Sequence, residues 1–284
     1  MLVKEKLVKR AAALKQTRDF FDSRGFLEAD VPIFGKAAAV DAYIDLFEVK
    51  GGGYLHSSPE LRMKDLLCNG SGNIYFLGHV FRKEEEGSKH NEEFTMLEYY
   101  KVETNESDFL DEMIKYLSLF LGQRKVEIIP YASALKKYTP PTLPPETSDY
   151  SKQELEHFIL SHYVEPNLGQ NCFSILTDFP PSEASLAKVV GNVAKRYEIF
   201  ANGTELGNGF FELSCAHTAR SRFLEANQKR HHQNKPTYPL DETFLKHLSG
   251  GLPENTYGIA IGFDRLLMLA QNQEEIANVL WKSS

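Results

Sequence analysis

Residues 4–24 carry apolar side chains at a helical spacing. The members of this stripe are Leu7, Ala11, Leu14, Phe20 and Phe21. Gly25 follows the stripe, and glycine commonly stands just after the last residue of a helix. The pattern therefore predicts an N-terminal helix, followed by an extended segment over residues 26–33.

Two apolar runs, IYFLGHVF at 74–81 and FTMLEYY at 94–100, are rich in aromatic and β-branched residues. This composition favours strands. The residues between them are mostly charged, with a single glycine. The pattern predicts an antiparallel hairpin with a long loop, and long loops in compact domains are commonly functional.

The rest of the chain alternates between helical and strand-like patterns in mixed order. Helices are predicted over 106–121, 153–163, 216–230 and 264–271, and strands over 257–262 and within 196–213 with a turn at Asn202-Gly203. The segment 139–152 is proline-rich, and we interpret about 126–170 as a small inserted helical lobe within a single domain spanning 1–284. The mixed order predicts an α+β fold, and the absence of GxGxxG and GxxxxGK[ST] disfavours Rossmann and P-loop folds.

The composition is that of a globular protein, with 42% hydrophobic and 25% charged residues. The net charge of −7 provides no general basic field for nucleic acid, although Lys229, Arg230 and Lys235 could form a local basic patch. The three cysteines form no CxxC pair, which favours buried free thiols. The N-terminus is charged and no apolar run reaches membrane length, so we expect a cytoplasmic protein.

Three segments carry residues suited to nucleotide chemistry. In the hairpin, Arg82 ends one strand where a guanidinium could bind phosphate oxygens, and Phe94 begins the next where a ring could stack on a purine. Arg265 opens a helix after GIAIG, where the helix dipole favours anions. A solvated charged loop and a packed corner with a surface arginine are the ordinary alternatives.

Glu198, Glu205 and Glu212 follow one another at intervals of seven residues on the two predicted strands at 196–213. If they lined one face, their mutual repulsion would call for a cation, either Mg²⁺ or an ammonium substrate. Three solvated glutamates on an exposed sheet are the alternative.

Together these segments resemble the three motifs of class II aminoacyl-tRNA synthetases. The matching segments are RGFLEADVP at 24–32, the hairpin at 74–100, and GFDR at 262–265. Within that class, SPELRMK at 58–64, HNEEFTMLE at 90–98 and ELGNGFFEL at 205–213 are similar to the lysyl branch. The resemblance covers about residues 4–272 and implies an antiparallel sheet flanked by helices, with a homodimer interface at the first motif.

The resemblance also implies roles for individual residues. Arg82 and Arg265 are the expected catalytic residues, and the expected ATP site consists of Arg82, Lys83, Glu84, His90, Asn91, Phe94, Glu205, Leu206, Gly262 and Arg265. Glu198 and Glu205 are the expected Mg²⁺ ligands. The expected lysine-type substrate site consists of Ser58, Pro59, Glu60, Glu98, Tyr100, Asn208, Glu212 and Ala260.

Lysyl-tRNA synthetases have an N-terminal anticodon-binding barrel, whereas this sequence opens on the first-motif helix. The stand-alone relatives in this branch activate β-lysine as an adenylate and pass it to a lysine of elongation factor P, so the resemblance implies lysine or β-lysine and elongation factor P as partners, with tRNA and membranes disfavoured. Ala260 stands where the tRNA synthetases have Gly and the stand-alone enzymes have Ala. A compact enzyme that charges tRNA or another amine, and a non-catalytic binding protein, stay open as alternatives.

Overall fold

An eight-stranded mixed sheet forms the centre of the molecule in a computed structural model that describes residues 3–281. The strands of the described residues are β1 (Leu27–Glu28), β2 (Phe34–Gly35), β3 (Tyr54–Leu55), β4 (Ile74–Phe81), β5 (Glu93–Lys101), β6 (Lys125–Pro130), β7 (Cys172–Thr177), β8 (Val189–Val190), β9 (Val193–Ala194), β10 (Arg196–Ala201), β11 (Thr204–Phe211) and β12 (Tyr257–Gly262). Strands β2 and β3, and β8 and β9, form two separate two-stranded sheets. The order in the main sheet is β1-β4-β5-β12-β11-β10-β7-β6. The six strands from β4 to β7 in this order pair antiparallel, and only the two edge strands pair parallel.

Helices cover both faces of this sheet. They are α1 (Val3–Asp22), α2 (Glu60–Cys68), α3 (Glu106–Leu121), α4 (Tyr131–Tyr138), α5 (Lys152–Ile159), α6 (Ala216–His232), α7 (Glu242–Gly250) and α8 (Phe263–Ala270). The predicted α+β class is confirmed, as are the hairpin of β4 and β5 and the pairing of β10 with β11. The predicted turn between β10 and β11 has both residues at positive φ, 51° at Asn202 and 64° at Gly203, as a tight type I′ turn requires.

The side-chain alternation of the central strands divides them between two apolar cores. On one face, Leu97 and Tyr99 of β5 and Ile259 and Ile261 of β12 pack with α1, α3 and α8. On the other face, Met96 and Tyr100 join residues of α2, α6 and α7. Between these helices and the strands, the second face leaves an open space that holds the candidate site.

The segment expected to form an inserted lobe begins inside the sheet. Strand β6 pairs in parallel with β7 along its whole length, so the helical part of the range 126–170 starts at Tyr131. Its apolar residues form a third core with Leu176 of β7 and Phe200 near the end of β10. Within residues 3–281, no helix is both long and apolar enough to cross a membrane.

Two expectations about the surface were wrong. Arg230 is fully buried and Lys235 is ion-paired with Asp45, so the two do not form an exposed basic patch with Lys229. The cysteines are free thiols, as predicted, but Cys215 is exposed and the other two are only partly buried.

Candidate active site

One transverse row of side chains crosses the centre of the sheet. Glu98 on β5 lies opposite Ala260 on β12, which lies opposite Asn208 on β11, which in turn lies opposite Glu198 on β10. Neighbouring strands lie about 4.8 Å apart, so this row spans roughly 14 Å. All four residues border an open cavity above the sheet. The register thus brings together predicted substrate and metal residues from four separate strands.

Because of a β-bulge, both odd-numbered and even-numbered residues of β11 face this surface. The pairing shifts by one residue between Ile199 and Phe200, which leaves Leu206 as the extra residue in β11. Leu206 packs into the core on the opposite face. Glu205, before the bulge, and Asn208, after it, therefore both border the open space, although a regular strand would turn them to opposite faces.

The open space consists of two adjoining cavities of about 510 Å³ and 700 Å³ that share several lining residues. The smaller one, which we call the nucleotide cavity, has Arg82 and Arg265 in its wall together with Glu205. The larger one, which we call the substrate cavity, holds Glu60, Glu98 and Glu212. Residues shared by the two walls include Arg82, Arg196, Glu198, Asn208 and Ala260.

Arg265 is held in place by the hairpin loop and by β11. Its Nε donates to the carbonyl of Lys89 at 3.1 Å, and its terminal nitrogens lie 3.4 Å from Glu205 Oε2 and 2.5 Å from His90 Nε2. Burial and the nearby Arg265 cation lower the pKa of His90, which favours a neutral imidazole that accepts from the guanidinium. The guanidinium is thus oriented at the cavity wall before any ligand arrives.

Arg82 lies at the junction of the two cavities. Its guanidinium carbon is 5.2 Å from the centre of the Phe94 ring, and Glu85 lies 3.7 Å from one terminal nitrogen. Asp264, at the start of α8, accepts from Thr95 N and from Arg10 of α1, which ties the first-motif helix to the base of the nucleotide cavity. Elements distant in sequence therefore fix the hairpin and the helix start that carry the two arginines.

Most of the predicted site residues border this space, and two do not. Besides the residues named above, the nucleotide cavity is bordered by Glu84, Asn91, Phe94, Leu206 and Gly262, and the substrate cavity by Ser58 and Tyr100. Among the described residues, Lys83 and Pro59 stand outside the lining of both cavities. Lys83 is turned outward to Glu84 at 3.1 Å, and Pro59 is the residue that precedes α2.

The deep end of the substrate cavity is a cluster of buried carboxylates. Glu98 accepts from the hydroxyls of Tyr100 at 2.6 Å and Ser58 at 2.7 Å. Glu212, just beyond β11, is 3% exposed, and Glu98 is 2% exposed. Gly258 makes room for this arrangement, because a Cβ there would lie 2.4 Å from the Tyr100 ring and 2.6 Å from Glu212 Oε1.

Lys64, which the sequence analysis missed, lies behind these carboxylates. Its Nζ is 2.6 Å from Glu60 Oε1 and 2.5 Å from Glu212 Oε2, and the residue is 1% exposed. Glu212 Oε2 receives no well-angled hydrogen bond despite this short ion-pair distance. Burial opposes the charged form of Lys64, but the carboxylates of Glu212 and Glu60 outweigh it and raise the lysine pKa.

The cluster sets three carboxylates against the single cation of Lys64. Burial and the neighbouring Glu60 raise the pKa of Glu98 to about 7, against hydrogen bonds that lower it. Burial raises the pKa of Glu212 to about 8, although the Lys64 cation opposes the rise. Carboxylates in this state favour the arrival of a further cation.

Glu198 and Glu205, the predicted metal ligands, border the nucleotide cavity together. Arg196 donates to Glu198 Oε1 at 2.5 Å. Burial raises the pKa of Glu198; Arg196 opposes this, while Glu205 and Glu165 add to it. No three metal-binding side chains cluster so as to hold an ion among residues 3–281. Two carboxylates are a donor set that Mg²⁺ can take when phosphate oxygens complete its shell.

The wall shared by the two cavities includes Asp41 and Ile44, which the sequence analysis also missed. Buried Arg230 holds this segment by donating to the carbonyl of Asp41 at 3.2 Å, to the carbonyl of Ile44 at 2.9 Å and to the carboxylate of Asp45 at 2.5 Å. The local sequence gave no sign of this contact, because Arg230 follows Asp41 and Ile44 by more than 180 positions.

Comparison with known proteins assigns the fold to a family. The family model described as tRNA synthetases class II (D, K and N) matches residues 2–281, and the chain belongs to this family. Three relatives have the name elongation factor P–(R)-β-lysine ligase. The protein of Pectobacterium carotovorum is 34% identical over 96% of this chain and 93% of its own, that of Haemophilus ducreyi 35% over 96% and 92%, and that of Enterobacter sp. 35% over 96% and 93%.

Proposed function

We propose that this protein activates (R)-β-lysine, or lysine, with ATP as an adenylate and transfers it to a lysine side chain of elongation factor P. The names of relatives at 34–35% identity over nearly the whole chain support the reaction class. The observation that carries the proposal is the row Glu98–Ala260–Asn208–Glu198. It joins a carboxylate cluster suited to ammonium groups to a cavity lined by two arginines.

Each end of the row has a part in the first half-reaction. The ammonium groups of the substrate pair with Glu60, Glu98 and Glu212, which directs its carboxylate along the row towards Arg82. That carboxylate oxygen attacks the α-phosphorus of ATP, the bond to the bridging oxygen breaks, and pyrophosphate leaves. Arg82 and Arg265 stabilise the negative charge of the phosphates. Phe94 and Glu84 border the same cavity, where they would hold the adenine by its ring and its amine.

The second half-reaction needs no nucleophile from this chain. The amine of the acceptor lysine attacks the carbonyl carbon of the adenylate, AMP leaves with the anhydride oxygen, and the amine nitrogen loses a proton. The substrate cavity, at about 700 Å³, extends beyond the carboxylate cluster to residues of α5 and α6, which leaves a route for an incoming side chain.

Glu198 and Glu205 would hold Mg²⁺ together with the phosphates of ATP. When bound, Mg²⁺ would neutralise part of the negative charge of the phosphates, which two glutamates alone would repel. Burial and the nearby Glu205 raise the pKa of Glu198, a rise that a divalent cation between the two carboxylates would oppose, and this supports that part of the proposal.

We also propose that two copies associate through α1 and the residues that follow it, in the cytoplasm. Leu7, Val8, Leu27, Ile33 and Phe34 are between 43% and 63% exposed on these segments. Apolar side chains grouped on a surface mark association sites. The free thiols are consistent with a reducing compartment. Light scattering on the purified protein measures its mass, and Leu27→Lys should shift it towards the monomer.

The activity is tested by pyrophosphate exchange with each lysine isomer, followed by transfer of radiolabelled amino acid to purified elongation factor P. Exchange that depends on a lysine isomer, with label in the protein, is the expected result. Label in tRNA and not in elongation factor P would assign the chain to tRNA charging instead. Absence of ATP turnover with every lysine isomer would contradict an enzymatic role.

A further inference from the structure

The buried ammonium of Lys64 lies outside the lining of the substrate cavity, yet it contacts two of the three carboxylates that line its deep end. Glu60 and Lys64 stand four residues apart on α2, so they share one face of the helix. Glu212 reaches the same ammonium from the end of β11. Lys64 therefore acts on any ligand only through these glutamates.

The charges in this cluster do not balance. Glu60, Glu98 and Glu212 are three carboxylates, and Lys64 is the one cation within ion-pair distance of them among the described residues. The remaining donors to Glu98 are the neutral hydroxyls of Ser58 and Tyr100. When all three are ionised, two negative charges are left without a counter-ion, and lysine or β-lysine brings two ammonium groups.

We propose that Lys64 is a positioning and specificity-determining residue, an internal counter-ion that limits the cavity to substrates with two ammonium groups and holds Glu60 and Glu212 ready to receive them. This inference rests on the proposed function, because it concerns the amino-acid substrate of that reaction. The Nζ also lies 5.9 Å and 5.8 Å from the centres of the Tyr100 and Phe210 rings, so the cation is enclosed on several sides.

Removal of the cation has a definite electrostatic consequence. Without it the carboxylates of the cluster retain protons to higher pH, because each opposes the charge of the others. Protons would take the place of the Lys64 ammonium and would compete with the substrate for the same oxygens. The pH above which a lysine isomer binds well should therefore move upward, which loss of packing alone would not produce.

The groups that titrate in direct contact with Lys64 or its carboxylate partners are Glu60 on α2, Glu98 and Tyr100 on β5, and Glu212 after β11. Cys68, one turn further along α2, also lies within the field of the Lys64 cation. Helix α7 packs against the other side of α2 through the apolar Phe244, Leu245 and Leu248 and through the pairs His247–Asp65 and Asp241–Arg62. These pairs keep both partners in every Lys64 variant, so a change in the pH dependence of lysine binding points to the carboxylate cluster.

The test compares Lys64→Met and Lys64→Arg with wild type, by calorimetric binding of lysine and β-lysine between pH 6 and 9. Lys64→Met should weaken lysine binding by about tenfold or more at pH 7.5. It should also raise by about one unit the pH below which lysine affinity falls, which we call the acid limb of the binding profile. Its affinity for ATP should stay within about twofold. Lys64→Arg keeps the cation and should keep the acid limb of wild type. Lys101→Met is the matched control. Lys101 is on the same strand as Glu98 and is also ion-paired, with Glu112 of α3, but it stands outside the lining of both cavities.

A second measurement separates charge from shape. Ethylammonium chloride should restore lysine binding to Lys64→Ala in a saturable way, because it can place an ammonium where Nζ was, and sodium chloride should not. An unchanged acid limb in Lys64→Met, or a shifted one in Lys64→Arg, would overturn the inference. If Lys64→Met does not fold, the Lys64→Arg limb and the ethylammonium titration decide the question.

Lysine binding by the wild-type protein distinguishes failure of the proposed function from failure of this inference. If wild type binds neither lysine isomer, both the proposed function and this inference fail. If wild type binds lysine and the Lys64 variants titrate as wild type does, only this inference fails.

Discussion

The two ends of the site differ in how their charged groups are held. At the nucleotide end, Arg82 and Arg265 come from a hairpin loop and a helix start, and their side chains are 25% and 21% exposed. At the ammonium end, Glu98, Glu212 and Lys64 are attached to strands and a packed helix and are at most 3% exposed. The charged groups of the first end are accessible to water and ions, whereas those of the second are almost completely buried.

This difference predicts two kinds of response. Salt screens exposed charges much more than buried ones, so ATP binding should weaken with ionic strength. Burial shifts the pKa values of carboxylates, so amino-acid binding should follow pH. A site built in this way can hold a highly charged nucleotide reversibly and still select strictly among amino acids.

The largest expected effect is that of Arg82→Ala, which removes the cation at the junction of the two ends. We expect adenylate formation to fall by about 10³-fold, because the phosphates lose an oriented charged donor. Lysine-dependent pyrophosphate exchange measures it. Lys83→Ala is the control, since Lys83 is the next residue but stands outside the lining of both cavities, and it should stay near wild type. Near-normal exchange in Arg82→Ala would contradict the assignment of this end to ATP.

A smaller effect is expected when a carboxylate is neutralised at either end. Glu212→Gln should raise the KM for a lysine isomer by about 10- to 100-fold and leave the KM for ATP unchanged, because a charged partner is lost only at the ammonium end. Glu205→Gln should do the reverse and increase the Mg²⁺ concentration required. Steady-state exchange with each substrate varied in turn measures both. Equal changes in both KM values for either variant would show that the ends are not separate.

The pH dependence should divide the two ends further. With pKa values of about 7 and 8, Glu98 and Glu212 are protonated below these values and cannot pair with ammonium groups. Affinity for a lysine isomer should therefore rise by about tenfold from pH 6 to pH 8.5. Because these folded-state values lie above the usual 4.5, the free protein should lose stability as pH rises through them.

Calorimetry and thermal unfolding at several pH values check both statements. The rise in melting temperature caused by lysine should be greater at pH 8.5 than at pH 6. A stabilisation by lysine that is the same at both values would rule out titration of this cluster.

The smallest effect is expected for Ala260→Gly, in the middle of the row. Its methyl group borders both cavities, so its loss enlarges the space between Glu98 and Asn208. One methyl group contributes about 1–3 kcal/mol of discrimination, so the ratio of kcat/KM for the two lysine isomers should change by about tenfold. Parallel exchange assays with both isomers measure this ratio, and an unchanged ratio would place isomer selection elsewhere.

Local patterns sufficed to predict the elements that carry the site. The hairpin of β4 and β5, helix α3 and strand β12 each follow a period that a short window reveals. The arginines were predicted from their places at the ends of such elements. The residue roles stay predictions, although the structure brings Arg82, Glu205 and Arg265 to one cavity.

Features that depend on partners distant in the chain could not be predicted from local sequence patterns. Lys64 was missed because its partner Glu212 comes from the far part of the chain, and a lysine on an amphipathic helix is ordinarily exposed. Arg196 and Arg230 were missed for the same reason. The register that aligns Glu98, Ala260, Asn208 and Glu198 depends on three strand pairings, none of which a local period specifies.

The extra residue at Leu206 makes the length of this strand part of its chemistry. If the same residues ran as an uninterrupted pleat without the bulge, Glu205 and Asn208 would point to opposite faces of the sheet, so Glu205 could not border the nucleotide cavity while Asn208 stayed in the row. A strand of the same length and composition but with regular pairing to β10 would have Glu205 on the face opposite Glu212. For this protein, counting residues between glutamates is therefore as informative as identifying them.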